Sequence, residues 1–240
     1  MKVRFLSAGD RALVVEFGDH IDRTLSADVL RLDASLRSGG LRGVVETVPT
    51  FRSLMVHYDP LVTTRAELDR AITSLLDHEP GLSRAATLWR VPVCYDGDYA
   101  PDLGDVARLT GLSPGEVAAL HSGRRYHVYM LGFLPGFPYM GDLPARLSLP
   151  RRADPRVRVP AGSISIATTL TAIYPYESPG GWHLIGTTPI RLFDCERTPP
   201  ALFAPGDKVQ FEPIDATAFA SIKKTVESGS YRVASEPTAE

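Results

Sequence analysis

Residues 132–150 read GFLPGFPYMGDLPARLSLP. Three glycines and four prolines in nineteen residues are too many for a packed strand, because each proline removes a backbone donor and fixes φ. Phe133, Phe137 and Tyr139 are interleaved with them. A rigid loop that holds aromatic side chains at fixed angles suits the wall of a small-ligand pocket. The alternative, that this loop covers the open end of a β-barrel, stays open.

The chain on both sides of this loop has the same texture. From residue 87 onward the apolar runs are short, and turn signals interrupt them at 135–136, 179–181 and 205–207. Many short strands separated by Gly and Pro turns favour a closed β structure, a barrel rather than a sandwich. We therefore predict a barrel domain over residues 83–218, followed by a polar C-terminal tail over residues 219–240.

The first 82 residues differ from the rest, since helix-like and strand-like segments alternate in them. Leucine and valine recur at steps of four, three and four between Leu25 and Leu36, which is one face of a helix. Thr64 and Glu67 have the spacing of a capping box before a second amphipathic helix. The order β-α-β-β-α predicts a ferredoxin-like α/β subdomain over residues 1–82, and the whole chain is therefore assigned to the α+β class.

The charge balance argues against a nucleic-acid partner. The formal net charge of the 240 residues is −2, so no basic surface is expected for a polyanion. Residues 105–122 resemble a DNA-binding helix-turn-helix, but three acidic residues and one arginine make the stretch from Asp102 to Ser122 net acidic. We predict a packed helical hairpin there.

The two cysteines, Cys94 and Cys195, are too few for a disulfide framework. Charges at Asp10, Arg11 and Glu16 interrupt the apolar run that a signal peptide needs, and no window approaches the length of a membrane span. These observations predict a cytoplasmic protein with no membrane partner.

Two further turns carry polar groups that suit catalysis or binding. Residues 160–163 (PAGS) combine a hydroxyl with backbone N–H groups that could bind an anionic oxygen. Residues 178–183 (SPGGWH) place an indole beside an imidazole, which titrates near neutral pH. The candidate catalytic residues are His183, Glu177 and Tyr174. The candidate substrate-binding residues are Phe133, Gly136, Phe137, Pro160, Gly162, Ser163, Pro179, Gly180, Gly181 and Trp182.

Other kinds of site lack their motifs. The six histidines show neither HxH nor HExxH spacing, so no metal-ligand set is predicted. The sequence contains no GxxxxGK[ST] or GxGxxG nucleotide motif and no G-x-S-x-G nucleophile elbow. The residues by themselves therefore indicate a small-ligand pocket in a β-rich domain.

A family resemblance extends this interpretation. YHVYMLGFLPGFPYMGDLP (126–144), RVPAGSISIA (158–167), IYPYESPGGWHLIGTTPIRLF (173–193) and APGDKVQFEPI (204–214) closely resemble the 5-oxoprolinase B-subunit family. This family is also described as allophanate hydrolase subunit 1, as the Kip-type kinase inhibitor, and as subdomains C and D of the carboxyltransferase domain of urea carboxylases. The resemblance implies a cyclophilin-like β-barrel after the N-terminal subdomain, and a heteromeric complex.

The activity that this resemblance implies is ATP-dependent opening of 5-oxoproline to glutamate, shared with partners that resemble the A- and C-subunits of 5-oxoprolinase. ATP is the implied cofactor, with its site on this chain or on a partner, and the chain alone is expected to be inactive. Two alternatives remain: a regulatory protein that inhibits a sensor histidine kinase, and a component of an allophanate or urea amidolyase-type enzyme. A biotin-dependent carboxyltransferase is a further alternative that would require a separate biotin carrier.

The chain also departs from the family pattern at two places. Thr168, Thr169 and Leu170 stand where the family carries a small residue or Asn and then Gln. Thr188 stands where an arginine is usual, and threonine cannot make the bidentate contact that an arginine makes with a carboxylate or a phosphate.

Overall fold

In the computed structural model, which describes residues 3–77 and 84–238, both predicted N-terminal helices are present. Helix α1 (Arg23–Gly39) starts at Asp22, whose carboxylate accepts two backbone N–H groups of the first turn. Helix α2 (Arg65–Asp77) starts at the predicted capping box. The Glu67 carboxylate accepts the Thr64 N–H at 2.7 Å, and the Thr64 hydroxyl accepts the Glu67 N–H at 3.3 Å. The capping-box spacing therefore predicted the start of α2, whereas the cap of α1 at Asp22 was not predicted.

The N-terminal sheet has four antiparallel strands in the order β1-β2-β4-β3. The apolar faces of α1 and α2 share one core with the buried side chains of the two central strands. The order β2-β4-β3 with two helices on one face is ferredoxin-like, and β1, which the sequence analysis did not predict, occupies the remaining edge beside β2. The strands are β1 (Arg4–Ser7), β2 (Ala12–Glu16), β3 (Val44–Pro49) and β4 (Ser53–Tyr58).

The second part of the chain contains a closed barrel of seven strands. The hydrogen-bonded order is β12-β9-β10-β7-β6-β13-β5, and β12 returns to β5 at the pair Thr187 and Cys94. Strands β8 and β11 form a separate two-stranded ribbon. The strands are β5 (Thr87–Cys94), β6 (Arg125–Leu131), β7 (Pro138–Gly141), β8 (Arg156–Val159), β9 (Ser163–Ala167), β10 (Leu170–Ile173), β11 (Ser178–Gly180), β12 (His183–Thr187) and β13 (Lys208–Ile214).

Two helices precede strand β6, α3 (Leu103–Thr110) and α4 (Pro114–Ser122). Val106 and Val117 are fully buried in the barrel core, so this segment is the predicted packed hairpin. The predicted fold class, α+β with a ferredoxin-like subdomain followed by a β-barrel, is confirmed.

The C-terminal region is more structured than predicted. Helix α5 (Ala216–Glu227) buries Phe219, and strand β14 (Ala234–Pro237) pairs with the first half of β5. The prediction of a polar tail over 219–240 is therefore corrected: Phe219, Ile222 and Val226 give this segment an apolar helix face.

The chain divides into two compact units, Met1–Ala85 and Ala86–Glu240. The predicted boundary between residues 82 and 83 lies outside the described residues.

A buried polar chain crosses the barrel interior at His121. Its Nδ1 lies 2.8 Å from the Tyr95 hydroxyl, and its Nε2 lies 3.0 Å from the Thr171 hydroxyl. The Thr171 hydroxyl donates to the Ser165 carbonyl, so it accepts from His121 Nε2–H and the ring is neutral. The Phe211 ring stacks on the imidazole at 4.6 Å. Burial lowers the pKa of His121 to about 3.

We expect this histidine to make the barrel unit sensitive to acid. In the unfolded chain the His121 ring binds a proton below its ordinary pKa of 6.5. In the folded state the same ring stays neutral until the pH is much lower. The stability from the neutral ring is therefore complete above pH 6.5 and is lost as the pH falls toward about 3, at roughly 1.4 kcal/mol per pH unit. Urea unfolding between pH 7.5 and 4.5 measures this slope, and both tryptophans, Trp89 and Trp182, report on this unit. His121→Gln should flatten the slope by about one proton; an equal slope in the variant would contradict the prediction.

Candidate functional site

Five aromatic side chains meet at the loop between β6 and β7. The Phe137 ring is buried and has its centroid 5.5 Å from Phe133, 4.9 Å from Tyr139 and 5.1 Å from Tyr174. Trp182 also belongs to this group, because its ring centroid lies 6.1 Å from that of Tyr139. The structure thus brings together four of the predicted site residues. We call Phe133, Phe137, Tyr139, Tyr174 and Trp182 the aromatic cluster.

The predicted glycines shape the borders of the aromatic cluster. Gly136 has φ +75°, and a Cβ built on it would lie 2.9 Å from the Cβ of Phe193. The loop therefore passes close to the backbone at Phe193. A Cβ on Gly180 would overlap the Tyr174 hydroxyl oxygen, so a residue larger than glycine would displace that hydroxyl. The adjacent Pro179 is exposed. Phe133 itself has φ +69° and is 62% exposed, an unfavourable backbone conformation for a residue with a side chain.

The turn at residues 160–163 holds Tyr174 rather than a ligand. The Gly162 N–H donates to the Tyr174 carbonyl at 2.7 Å, and the Tyr174 N–H donates to the Ser163 carbonyl at 3.0 Å. The Ser163 N–H donates to the Pro160 carbonyl at 3.3 Å, and the Ser163 side chain is buried. The prediction that these N–H groups bind an anionic oxygen is therefore wrong for Gly162 and Ser163, because both are already bonded within the fold.

His183 is buried, and one of its ring nitrogens forms a hydrogen bond within the fold. Nε2 lies 3.0 Å from the Pro150 carbonyl, which can only accept, so this nitrogen carries the proton. Within residues 3–77 and 84–238, the buried Nδ1 atom has no hydrogen-bond partner. His183 therefore anchors the backbone at Pro150 through Nε2.

The three predicted catalytic side chains do not form a connected group. Both carboxylate oxygens of Glu177 accept from Arg158, each at 3.0 Å, and both side chains are exposed. Over the described ranges of the chain, no hydrogen bond or ion pair joins Glu177, Tyr174 and His183. Of the three, only Tyr174 lies in the aromatic cluster.

A buried carboxylate that the sequence analysis missed lies beneath this region. Asp102 is 2% exposed and accepts from Arg152 at 3.0 Å and from Arg156 at 2.6 and 2.8 Å. It also accepts the Leu184 N–H at 2.7 Å, while its own N–H donates to the Leu184 carbonyl. These four residues, the Asp102 cluster, tie the segment after Pro150 to strand β12.

The hydroxyls of the aromatic cluster stay protonated at neutral pH. Burial raises the pKa of Tyr174 and of Tyr139, and the nearby Arg151 charge opposes this only in part. In the part of the chain that the structure describes, the Tyr174 hydroxyl has no hydrogen-bond partner. This hydroxyl is therefore a protonated donor that the fold itself leaves without an acceptor among those residues.

Neither a metal-ligand cluster nor a membrane-spanning helix occurs among the same described residues. These contain no group of three His, Cys, Asp or Glu side chains placed to hold a metal ion. No helix among them has the length and apolar character to cross a membrane. Two grooves of about 400 Å³ each lie elsewhere, one beside β3 and one beside α3, and neither is lined by a predicted site residue.

A family model, characterised proteins and solved structures all match this chain. The model of the carboxyltransferase domain, subdomain C and D, matches residues 3–203. The B-subunit of 5-oxoprolinase from Bacillus subtilis is 38% identical over 228 residues, which cover 90% of this chain and 95% of that protein. The chain belongs to the 5-oxoprolinase B-subunit family. The predicted resemblance is thus confirmed, and the B-subunit pattern extends over nearly the whole chain.

Two solved structures place this 5-oxoprolinase B-subunit fold within longer proteins. TTHA0988 is 37% identical and superimposes with a TM-score of 0.77 over 86% of this chain, which spans only 40% of that chain. Urea amidolyase of Kluyveromyces lactis superimposes with a TM-score of 0.80 at 20% identity, and this chain spans 16% of it. The second likeness shows a shared fold.

The structure also describes the two segments at which the sequence analysis expected departures from the family pattern. Thr168 has φ +52° in the turn between β9 and β10. Thr188 is buried; its N–H donates to the Gly162 carbonyl at 2.9 Å and its hydroxyl accepts the Ile190 N–H at 3.3 Å. Thr188 therefore supports the turn behind Tyr174.

Proposed function

We propose that this chain is one component of an ATP-dependent 5-oxoprolinase complex that opens 5-oxoproline to glutamate. The observation that carries the proposal is the 38% identity to the B-subunit of 5-oxoprolinase over 95% of that protein's length. The chain acts with a barrel protein of the C-subunit type and a protein of the A-subunit type, and it is inactive alone. The unpaired Cys94 and Cys195 fit a reducing cytoplasm.

The chemistry of the reaction explains what the aromatic cluster would contribute. A lactam carbonyl is a poor electrophile, and transfer of the ATP γ-phosphoryl group to its oxygen makes the ring carbon open to attack by water. Attack by water then breaks the ring C–N bond and releases phosphate, and the negative charge on the phosphoryl oxygens needs a fixed donor in a water-poor site. The Tyr174 hydroxyl is such a donor, because burial keeps it protonated and the turn at 160–163 fixes its backbone. ATP is assigned to a partner, since this sequence has neither phosphate-binding glycine motif.

The test is reconstitution of the complex with the two partner proteins, measuring 5-oxoproline-dependent release of glutamate and ADP. Tyr174→Phe should lower kcat by about 100-fold, because it removes one oxyanion donor and keeps the ring. Tyr231→Phe, outside the aromatic cluster, is the matched control. Full activity of Tyr174→Phe would overturn the role of the hydroxyl. A complex that is silent on 5-oxoproline would overturn the substrate.

A second candidate is a component of a urea or allophanate amidolyase-type enzyme. It is favoured by urea amidolyase of Saccharomyces cerevisiae, which is 25% identical over 97% of this chain, although the chain spans only 14% of that protein. Offering allophanate and urea to the same reconstituted complex separates the two candidates. Turnover of these compounds in place of 5-oxoproline would favour the amidolyase.

A further inference from the structure

Arg151 lies between two residues whose backbones are fixed to the start of β12. On one side the Pro150 carbonyl accepts from His183 Nε2 at 3.0 Å. On the other side the Arg152 N–H donates to the Gly181 carbonyl at 2.8 Å. One of these hydrogen bonds joins Pro150 to His183, and the other joins Arg152 to Gly181. Arg151 and Trp182 are the residues between them, so Arg151 lies alongside Trp182 of the aromatic cluster.

The Asp102 cluster makes this placement rigid. The Arg152 side chain binds Asp102 at 3.0 Å, and Asp102 in turn binds the backbone of Leu184. Pro150 is thus bonded by the buried His183 side chain, and Arg152 is bonded through its backbone to Gly181 and through its side chain to Asp102. The Asp102 carboxylate at the centre of this network is buried and bonded through both oxygens, which favours one conformation of the segment.

Arg151 differs from the arginines that follow it. Arg152 and Arg156 bind Asp102, and Arg158 binds Glu177. Arg151 is exposed and, among the residues that the structure describes, has no hydrogen bond or ion pair. Its charge still acts on the buried hydroxyls of Tyr139 and Tyr174, where it opposes the rise in pKa that burial causes. The charge of Arg151, which has no partner among the described residues, thus acts on two hydroxyls of the aromatic cluster.

We propose that Arg151 binds the carboxylate of the substrate, so that the site selects small cyclic amides that carry a carboxylate. This rests on the proposed function, since 5-oxoproline carries a carboxylate on the ring carbon next to nitrogen. A planar guanidinium matches a carboxylate with two parallel hydrogen bonds. The lactam ring then lies against the aromatic cluster, and its oxygen is offered to the Tyr174 hydroxyl. His183 is a positioning residue, because it acts through Pro150.

Binding to the full chain tests this without relying on turnover. Ligand-observed NMR compares 5-oxoproline with 2-pyrrolidinone, the same lactam without the carboxylate. The wild-type chain should bind 5-oxoproline about 10- to 100-fold more tightly, and Arg151→Gln should remove that difference, as expected for one charge-assisted contact. Arg108→Gln is the matched control, since Arg108 is an exposed arginine on α3. In the reconstituted complex, Arg151→Gln should raise KM for 5-oxoproline by the same factor and change kcat less.

The outcomes separate this proposal from the proposed function. Equal binding of the two lactams by the wild-type chain, or selectivity retained in Arg151→Gln, would overturn the role of Arg151. Displacement of 5-oxoproline by millimolar inorganic phosphate with no effect of the ligand's carboxylate would show a phosphate site and would also overturn it. A wild-type complex that binds 5-oxoproline through Arg151 but does not hydrolyse it would overturn only the proposed activity.

Discussion

Asp102→Asn is expected to destabilise the barrel unit by about 3 kcal/mol. The substitution removes the negative charge between Arg152 and Arg156, whose side chains are 27% and 25% exposed. Two guanidinium groups are then left close together, with only partial access to water. The change keeps the size of the side chain, so the loss measures the charge rather than a cavity.

The comparison variant for this experiment is Asp105→Asn in helix α3, which begins directly after Asp102. Asp105 pairs with Arg108 at 3.2 Å, and both side chains are more than half exposed, so its loss should cost less than about 0.5 kcal/mol. Urea unfolding followed by tryptophan fluorescence measures both variants. Equal effects of the two substitutions would show that the Asp102 cluster is no more than a surface ion pair.

Gly162→Ala is expected to destabilise the same unit by about 3 kcal/mol or more. Gly162 has φ +83°, which costs a residue with a Cβ about 1 kcal/mol. The added Cβ would also overlap the carbonyl oxygen of Thr188. That carbonyl cannot move freely, because the Thr188 N–H donates to the Gly162 carbonyl at 2.9 Å. Both the strain and the clash must be relieved by moving backbone.

Gly104→Ala provides the matched control for the glycine substitution. Gly104 lies in helix α3, and a Cβ there would meet nothing within 4 Å. Alanine should therefore stabilise the unit by about 0.5–1 kcal/mol, since it restricts the unfolded chain and favours the helix. Thermal unfolding shows the contrast: a lowered Tm for Gly162→Ala and a raised or unchanged Tm for Gly104→Ala. A similar Tm for the two variants would contradict the close approach at Gly162.

Local patterns predicted those parts of the fold that depend on neighbours in sequence. The spacing from Leu25 to Leu36 and the Thr64–Glu67 box located α1 and α2, because a helix face and a helix cap are both set within a few residues. The density of Gly and Pro after residue 87 predicted a barrel of short strands. Strand β1 escaped prediction because four residues at a sheet edge carry too weak an alternation.

The candidate site was predictable in its aromatic part but not in its charged part. Phe133 and Phe137 stood out within one short loop, and the structure places them together. Asp102 and Arg152 are 50 residues apart in sequence, and nothing local distinguishes them from surface charges. The donor role given to the turn at 160–163 failed for a related reason, because the pairing of the Gly162 N–H with the Tyr174 carbonyl, just after β10, is set by the tertiary fold.

The pairing of β5 with β13 has a consequence for synthesis of the chain. These strands run parallel, with Leu88 opposite Lys208, and the N–H of Thr87 is bonded to Asp207, 120 residues away. Contacts between residues so far apart in sequence form late and slow the folding reaction. The ribosome must therefore deliver β13 before the barrel can close, whereas the N-terminal unit already has all its partners. The first unit can fold while the barrel strands are still emerging.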